Sequence, residues 1–132
     1  MAIPFNSAEI MVALTSELAE AREVIATEFV KDIVPRTPVD TGHARRNWQV
    51  NWGVPTGNEL PGVDKAGSDT VTSGVSKVRT GRNRNPFLPV VIENNVPYIG
   101  RLNAGSSKQA PANFVELSIV VAINRLKARK EI

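Results

Sequence analysis

His43 is the single histidine of this 132-residue chain, and it follows Asp40 and Thr41 closely enough to put an acid, a hydroxyl and an imidazole in one turn. Acid–base or nucleophilic catalysis asks for more than that, namely a nucleophile, a base and a third group that orients the base. A lone histidine in a turn is ordinary. Cysteine is absent, which removes disulfides, thiolate metal sites and a cysteine nucleophile. One histidine also cannot build a histidine-rich zinc site. The chain carries no nucleophile elbow, no phosphate-cradling glycine loop and no paired-carboxylate motif. The expectation is therefore no catalytic residue, no cofactor-binding residue, no metal ligand, no small-molecule substrate, and a protein that is not an enzyme.

Two other groups could act by binding. Trp48 and Trp52 could stack on bases, but they alternate with Val50 and Val54, which makes core packing the commoner outcome. Residues 76–86 hold Lys77, Arg79, Arg82 and Arg84 and no acid. Such a run supplies phosphate contacts that ignore base identity, or it simply keeps a loop solvated. No zinc-finger or RNA-recognition signature accompanies it. The net charge of +3 is unevenly spread: residues 1–34 contain six acids and two bases, a balance of −4, and the remainder seven acids and fourteen bases, a balance of +7. Different faces should then meet different partners.

The elements that must position these groups follow from periodicity. Asn6 as an N-cap with Glu9 three residues on opens a capping box. Ile10, Leu14, Leu18, Ala21, Ile25, Phe29 and Ile33 then form one helical stripe, predicting a long helix over 7–34 that Pro35 and Pro38 stop. The turn at 37–42 leads into a short helical turn at His43, Ala44 and Arg45, capped by Asp40 or Thr41. A half-buried strand follows from Trp48. Residues 55–86, rich in glycine and proline, predict a long flexible loop or a protruding hairpin around Val71, Ser73 and Val75. Leu88, Val90 and Ile92 predict a strand that Pro89 demotes to an edge. After Asn94 and Asn95 turn the chain, residues 96–99 begin a strand or a short helix. A final helix opens at Ala112 or Asn113 and runs to about Lys130, with Phe114 on its buried side.

That order predicts an α+β fold: a long N-terminal helix, a small antiparallel sheet, and a C-terminal helix packed on the sheet, all in a single domain over 1–132. The predicted core includes Trp48, Trp52, Tyr98 and Phe114. Hydrophobic residues make up 42% of the chain, but only 5% are aromatic, so a core this small favours extra burial by oligomerisation. Residues 1–20 lack the basic start of a signal peptide. The apolar run at 119–123 is five residues, far short of the roughly 20 that span a bilayer. The expectation is a soluble, cytosolic protein without a membrane partner.

Four landmarks stand in order along the chain: Thr37-Pro-Val-Asp-Thr-Gly42 followed by Arg45-Arg-Asn-Trp48; Asn94-Asn-Val-Pro-Tyr98; Gly105 in its loop; and Gln109-Ala-Pro111 before the last helix. Together they resemble the neck, or tail-completion, proteins of tailed bacteriophages over residues 35–126. One departure is that the family often carries a glutamate before the glycine loop, where this chain reads Leu102-Asn-Ala-Gly105.

The resemblance implies a structural subunit of a homo-oligomeric ring, six-fold or twelve-fold, that joins the tail to the head connector. Its implied partners are head-connector and tail proteins and, non-specifically, packaged DNA. It would sit in the virion neck, after assembly in the host cytoplasm. Lys77, Arg79, Arg82 and Arg84 would face the DNA channel or a partner. Thr37, Pro38, Asp40, Thr41 and Gly42 read as a rigid turn: Pro38 fixes one dihedral, Asp40 bonds back to the backbone, and Gly42 admits a positive φ. A tail-terminator ring capping the tail tube is the neighbouring alternative. A small basic nucleic-acid-binding module is the alternative from another class.

Overall fold

A computed structural model describes residues 10–14, 19–81 and 88–130. In chain order the described elements are β1 (Ile10–Leu14), α1 (Ala19–Arg36), α2 (His43–Arg46), β2 (Gln49–Trp52), α3 (Ser68–Gly81), β3 (Val90–Asn94), α4 (Ile99–Asn103) and α5 (Phe114–Lys130). The strands form one antiparallel sheet in the order β1-β3-β2. Its register pairs Ile10 with Asn94 and Leu14 with Val90 on one side, and Gln49 with Glu93 and Trp52 with Val90 on the other. The architecture is the expected mixture of helix and antiparallel sheet. No helix among the described residues is long and apolar enough to cross a membrane.

Four expectations change. The first helix does not begin near residue 7: residues 10–14 are a strand, and α1 starts at Ala19. Ile10 and Leu14 suit helical spacing, but a five-residue apolar run suits a strand equally, and the open edge of β3 supplies the partner. Asn6 and Glu9 lie outside the described residues. Second, β3 is the central strand rather than an edge. Pro89 stands one residue before it, where its missing N–H breaks no ladder, while its carbonyl accepts from Gly53 at 2.9 Å. Third, the hairpin expected around Val71 is α3. Its β-branched residues and glycine argue locally against a helix, yet packing decides otherwise. The end of α1 also moves, through Pro35 to Arg36, because Thr37 closes the final turn onto the carbonyl of Ile33.

The two faces of the sheet have different chemistry. Val50, Val90 and Ile92 point into the core with Ile10 and meet Phe29, Val30, Ile33 and Val34 of α1. Phe29 meets the Trp48 ring edge-on, with centroids 6.1 Å apart. Gln49, Asn51, Val91 and Glu93 alternate onto the opposite face, which residues 56–58 cover. Phe114, Val115, Ile119 and Ala122 of α5 join the same core, and α5 is also bound to α1 by charge. Arg125 and Arg129 each reach Glu28, at 3.0 and 2.9 Å, and the Ser118 hydroxyl donates to Asp32 at 2.6 Å. The basic tail of α5 is thus engaged by an acid of α1.

Helix α3 lies against β2 and α1, and glycine sets how closely. A Cβ on Gly74 would stand 2.9 Å from Val30 Cγ1 and 3.3 Å from Val50 Cγ2. At the helix end, Gly81 lets the indole of Trp52 lie on the backbone, and the Trp52 Nε1–H donates to the Lys77 carbonyl at 2.9 Å. Trp48 is 4% exposed and Phe114 fully buried, whereas Trp52 and Tyr98 are half-buried at the edge of the core. Trp52 carries the Arg22 guanidinium 5.0 Å above its ring.

Gly74→Ala therefore sets helix propensity against packing. Alanine favours an isolated helix by about 1 kcal/mol, but overpacking here costs about 1–3 kcal/mol. The expected net effect is a lower urea midpoint, partly restored in the double variant with Val30→Ala. A raised midpoint in Gly74→Ala would show that α1 and α3 are not closely packed there.

Candidate interaction cleft

Residues 37–42 leave α1 and build one wall of a cleft. Thr37 is fully buried. Its hydroxyl donates to the Ile33 carbonyl at 2.7 Å and accepts the Trp48 indole N–H at 2.8 Å. Arg45, on the short helix α2, donates to three carbonyls: Thr37 at 2.9 Å, Pro35 at 2.9 Å and Lys65 at 2.6 Å. The planar guanidinium spreads its donors in a fixed fork over these three carbonyls, whereas an ammonium is a point charge on a flexible stem. Gly42 has φ +95°, and a Cβ there would lie 2.6 Å from Lys65 N. Its carbonyl accepts from both Arg46 and Asp64. The rigid turn read from sequence is thus also a docking point for residues 62–67.

The opposite wall comes from α4 and the loop after it. The Gln109 side chain accepts from Val39 N–H and donates to Val39 C=O, both at 2.8 Å, as a neighbouring strand would. Between the walls lies an open cleft of 320 Å³, lined by residues 38–44 together with Tyr98, Leu102, Ser107 and Gln109. The turn at 37–42, Tyr98 and Gln109, remote in sequence, meet there. Asn103 stands where the resemblance leads one to expect glutamate. It is buried, accepts from Val115 N–H at 3.0 Å and donates to Glu116 at 2.9 Å, so it fixes the first turn of α5.

His43 does not turn towards Asp40. Its Nδ1 faces the Gly62 carbonyl at 2.8 Å and its Nε2 faces Glu59 at 2.6 Å. Both ring nitrogens meet acceptors, which suits the doubly protonated imidazolium. The Glu59 carboxylate and the Gly62 carbonyl raise the His43 pKa above its ordinary value against the effect of burial. Tyr98 is pushed up as well, by burial first and then by the negative charges of Glu59 and Asp40. The arrangement ties the loop at residues 59–62 to α2 through the His43 ring.

A second anchor went unread in the sequence. Glu93, 1% exposed on the loop-facing side of β3, accepts from Asn51, Asn95, Thr56 N–H and Oγ1, and Gly57 N–H. Burial opposes its charge, but the donors of Asn95, Thr56 and Gly57 outweigh burial and hold the carboxyl below its ordinary range. A carboxylate directly after the apolar run Val90-Val-Ile92 was the available signal. Buried Asn47 works alongside it, donating to His43 and Leu60 carbonyls and accepting from Leu60 N–H. Asp64 caps α3 by accepting from Gly67 and Thr70.

The basic run does not form one stripe. Lys77 and Arg79 are exposed on α3 but stand about 200° apart around a helix with 3.6 residues per turn. Lys77 borders a hollow with Arg46 and Gln49, whereas Arg79 borders a groove shared with Lys31 of α1. Arg82 and Arg84 lie outside the described residues.

Compared with known families, residues 11–117 match the family described as bacteriophage HK97-gp10, putative tail-component. No curated protein and no solved structure matches the chain.

Two pH effects of opposite sign follow from these anchors. The depressed pKa of Glu93 contributes stability that is present above about pH 4.3, the unfolded value, and lost as pH falls through the folded one. Glu93→Gln should cost about 1.5–3 kcal/mol at neutral pH and flatten part of the acid limb of a urea-unfolding series; an unchanged acid limb would remove the anchor. The raised pKa of His43 contributes stability that is complete below about pH 6.5 and fades as pH rises through the folded value. By NMR, Glu59→Gln should lower the His43 titration midpoint, and equal midpoints would break the pair.

Proposed function

Because the chain belongs to the HK97-gp10-like family of bacteriophage tail components, we propose that it is a ring-forming neck subunit that joins the tail to the head connector. As a tail component it is a structural protein of the virion. The observation that carries the finer reading is the convergence of the turn at 37–42, Tyr98 and Gln109 on one cleft. Landmarks far apart in sequence meet on a surface held rigid by Arg45, Gln109 and Thr37, as a repeated subunit contact requires. Exposed apolar side chains support the same reading: Val54 is 74% exposed and Val63 59%, and Leu117 and Val120 stand out from α5. Ring neighbours and head or tail proteins would cover them. Lys77 and Arg79, on two sides of α3, would each meet a partner in that assembly, either the packaged DNA through its phosphates or an acidic protein surface, and the same role is proposed for Arg82 and Arg84.

Electron microscopy of infections lacking this protein tests the reading. Filled heads and finished tails of normal length should accumulate unjoined. Tails of uncontrolled length would instead identify a terminator that caps the tail tube. Complementation with all four cations changed to glutamine should reduce the yield of infectious particles while the isolated protein keeps its unfolding midpoint. A normal yield would return those charges to a solvation role.

A further inference from the structure

The valley between α1 and α3 is a groove of 420 Å³ with Val71 and Val75 in its lining, Thr27, Thr72 and Ser76 beside them, Lys31 on the α1 wall and Arg79 on the α3 wall. Among the described residues, no carboxylate lines it. Lys31 is half exposed and lies 3.9 Å from Glu28, whose carboxylate is already held by Arg125 and Arg129 at 3.0 and 2.9 Å. The groove thus combines apolar side chains, flanking hydroxyls and one cation on each bank.

We propose that this groove receives the acidic, apolar-anchored face of one helix from a neighbouring virion protein. Three observations select that occupant. Val71 and Val75 are one helical turn apart and pack against the core with part of their surface still open, so they present a stripe at helical spacing. A helix laid between two helices seats its own side chains in such a stripe. Lys31 and Arg79 line the groove from its two helices, one cation from each, which suits carboxylates on both flanks of an inserted helix and disfavours wrong partners. A DNA duplex does not fit these features. It offers phosphates on a wide cylinder and nothing to bury against valines, and Lys77, on the other side of α3, cannot join Arg79 in following one strand. The identity of the partner as a virion protein rests on the tail-component reading; binding of an acidic helix does not.

The test uses the full chain and a synthetic helical peptide with leucines one turn apart, flanked by glutamates. NMR shifts should map to Thr27, Val71, Val75 and Ser76. Arg79→Glu and Lys31→Glu should each weaken binding by about tenfold or more, while Lys77→Glu leaves it unchanged. A peptide with lysines replacing the glutamates should bind Arg79→Glu better than the unaltered protein. Equal binding to all variants, or no binding, overturns the proposal. So does a short DNA duplex that shifts the same residues, or a second copy of the chain covering them in sedimentation and NMR. In assembled particles, a photo-crosslinker at Ser76 should join an acidic segment of another protein; a link to DNA or to a second copy overturns it. Unjoined heads and tails with failed peptide binding would defeat the groove alone, and uncontrolled tails with intact peptide binding the neck reading alone.

Discussion

The hydroxyl of Thr37 ties the last turn of α1 to the indole of Trp48, and the layout of the chain depends on that junction. It terminates the longest helix, aims the chain into residues 38–42, and satisfies a buried indole N–H that would otherwise be costly to desolvate. Phe29 and Trp48 meet edge-to-face beside it, so the polar contact is sealed by aromatic packing. Arg45 then gathers the carbonyls of Thr37, Pro35 and Lys65. One helix end, one turn and one distant loop are thereby fixed by two side chains.

The same device recurs wherever the backbone is irregular. A backbone N–H outside a helix or sheet, or in the first turn of a helix, has no ladder partner and must find another. In this chain that partner is repeatedly a side-chain amide or carboxylate: Asn47 for Leu60, Glu93 for Thr56 and Gly57, Gln109 for Val39, and Asn103 for Val115. Residues 53–67 contain no regular element and are nonetheless pinned along their length. A small chain with few aromatic residues can in this way present defined surfaces without a large core.

Charge is divided by the same packing. The acids of α1 are largely turned to internal use, Glu28 and Asp32 holding α5 and Arg36. Burial of Asp32 works against its charge, but the donors of Arg36 and Ser118 overcome it and lower its pKa. The cations of α3 remain on the surface and are split between two sides of the helix. The net charge therefore understates how distinct the faces are.

The sequence by itself determined the elements whose signals are local. The turn at 37–42 is legible because proline fixes its own φ and glycine readily takes the positive φ found at Gly42. The strand bearing Val50 and Trp52 and the final helix are legible because alternation or helical spacing runs unbroken through them. Tertiary structure alone decided three things. Residues 10–14 satisfy both periods, and pairing with β3 made them a strand. Residues 68–81 are poor helix formers by propensity, and the close approach to Val30 and Val50 that Gly74 permits made them a helix. Glu93 is a charge in an apolar strand, and only the donors of residues 51, 56, 57 and 95, brought together by the fold, make its burial favourable. The cleft belongs to the same class: its landmarks were visible one by one, but their meeting depends on side chains bonding to backbone up to 70 residues away, a relation that no local pattern encodes.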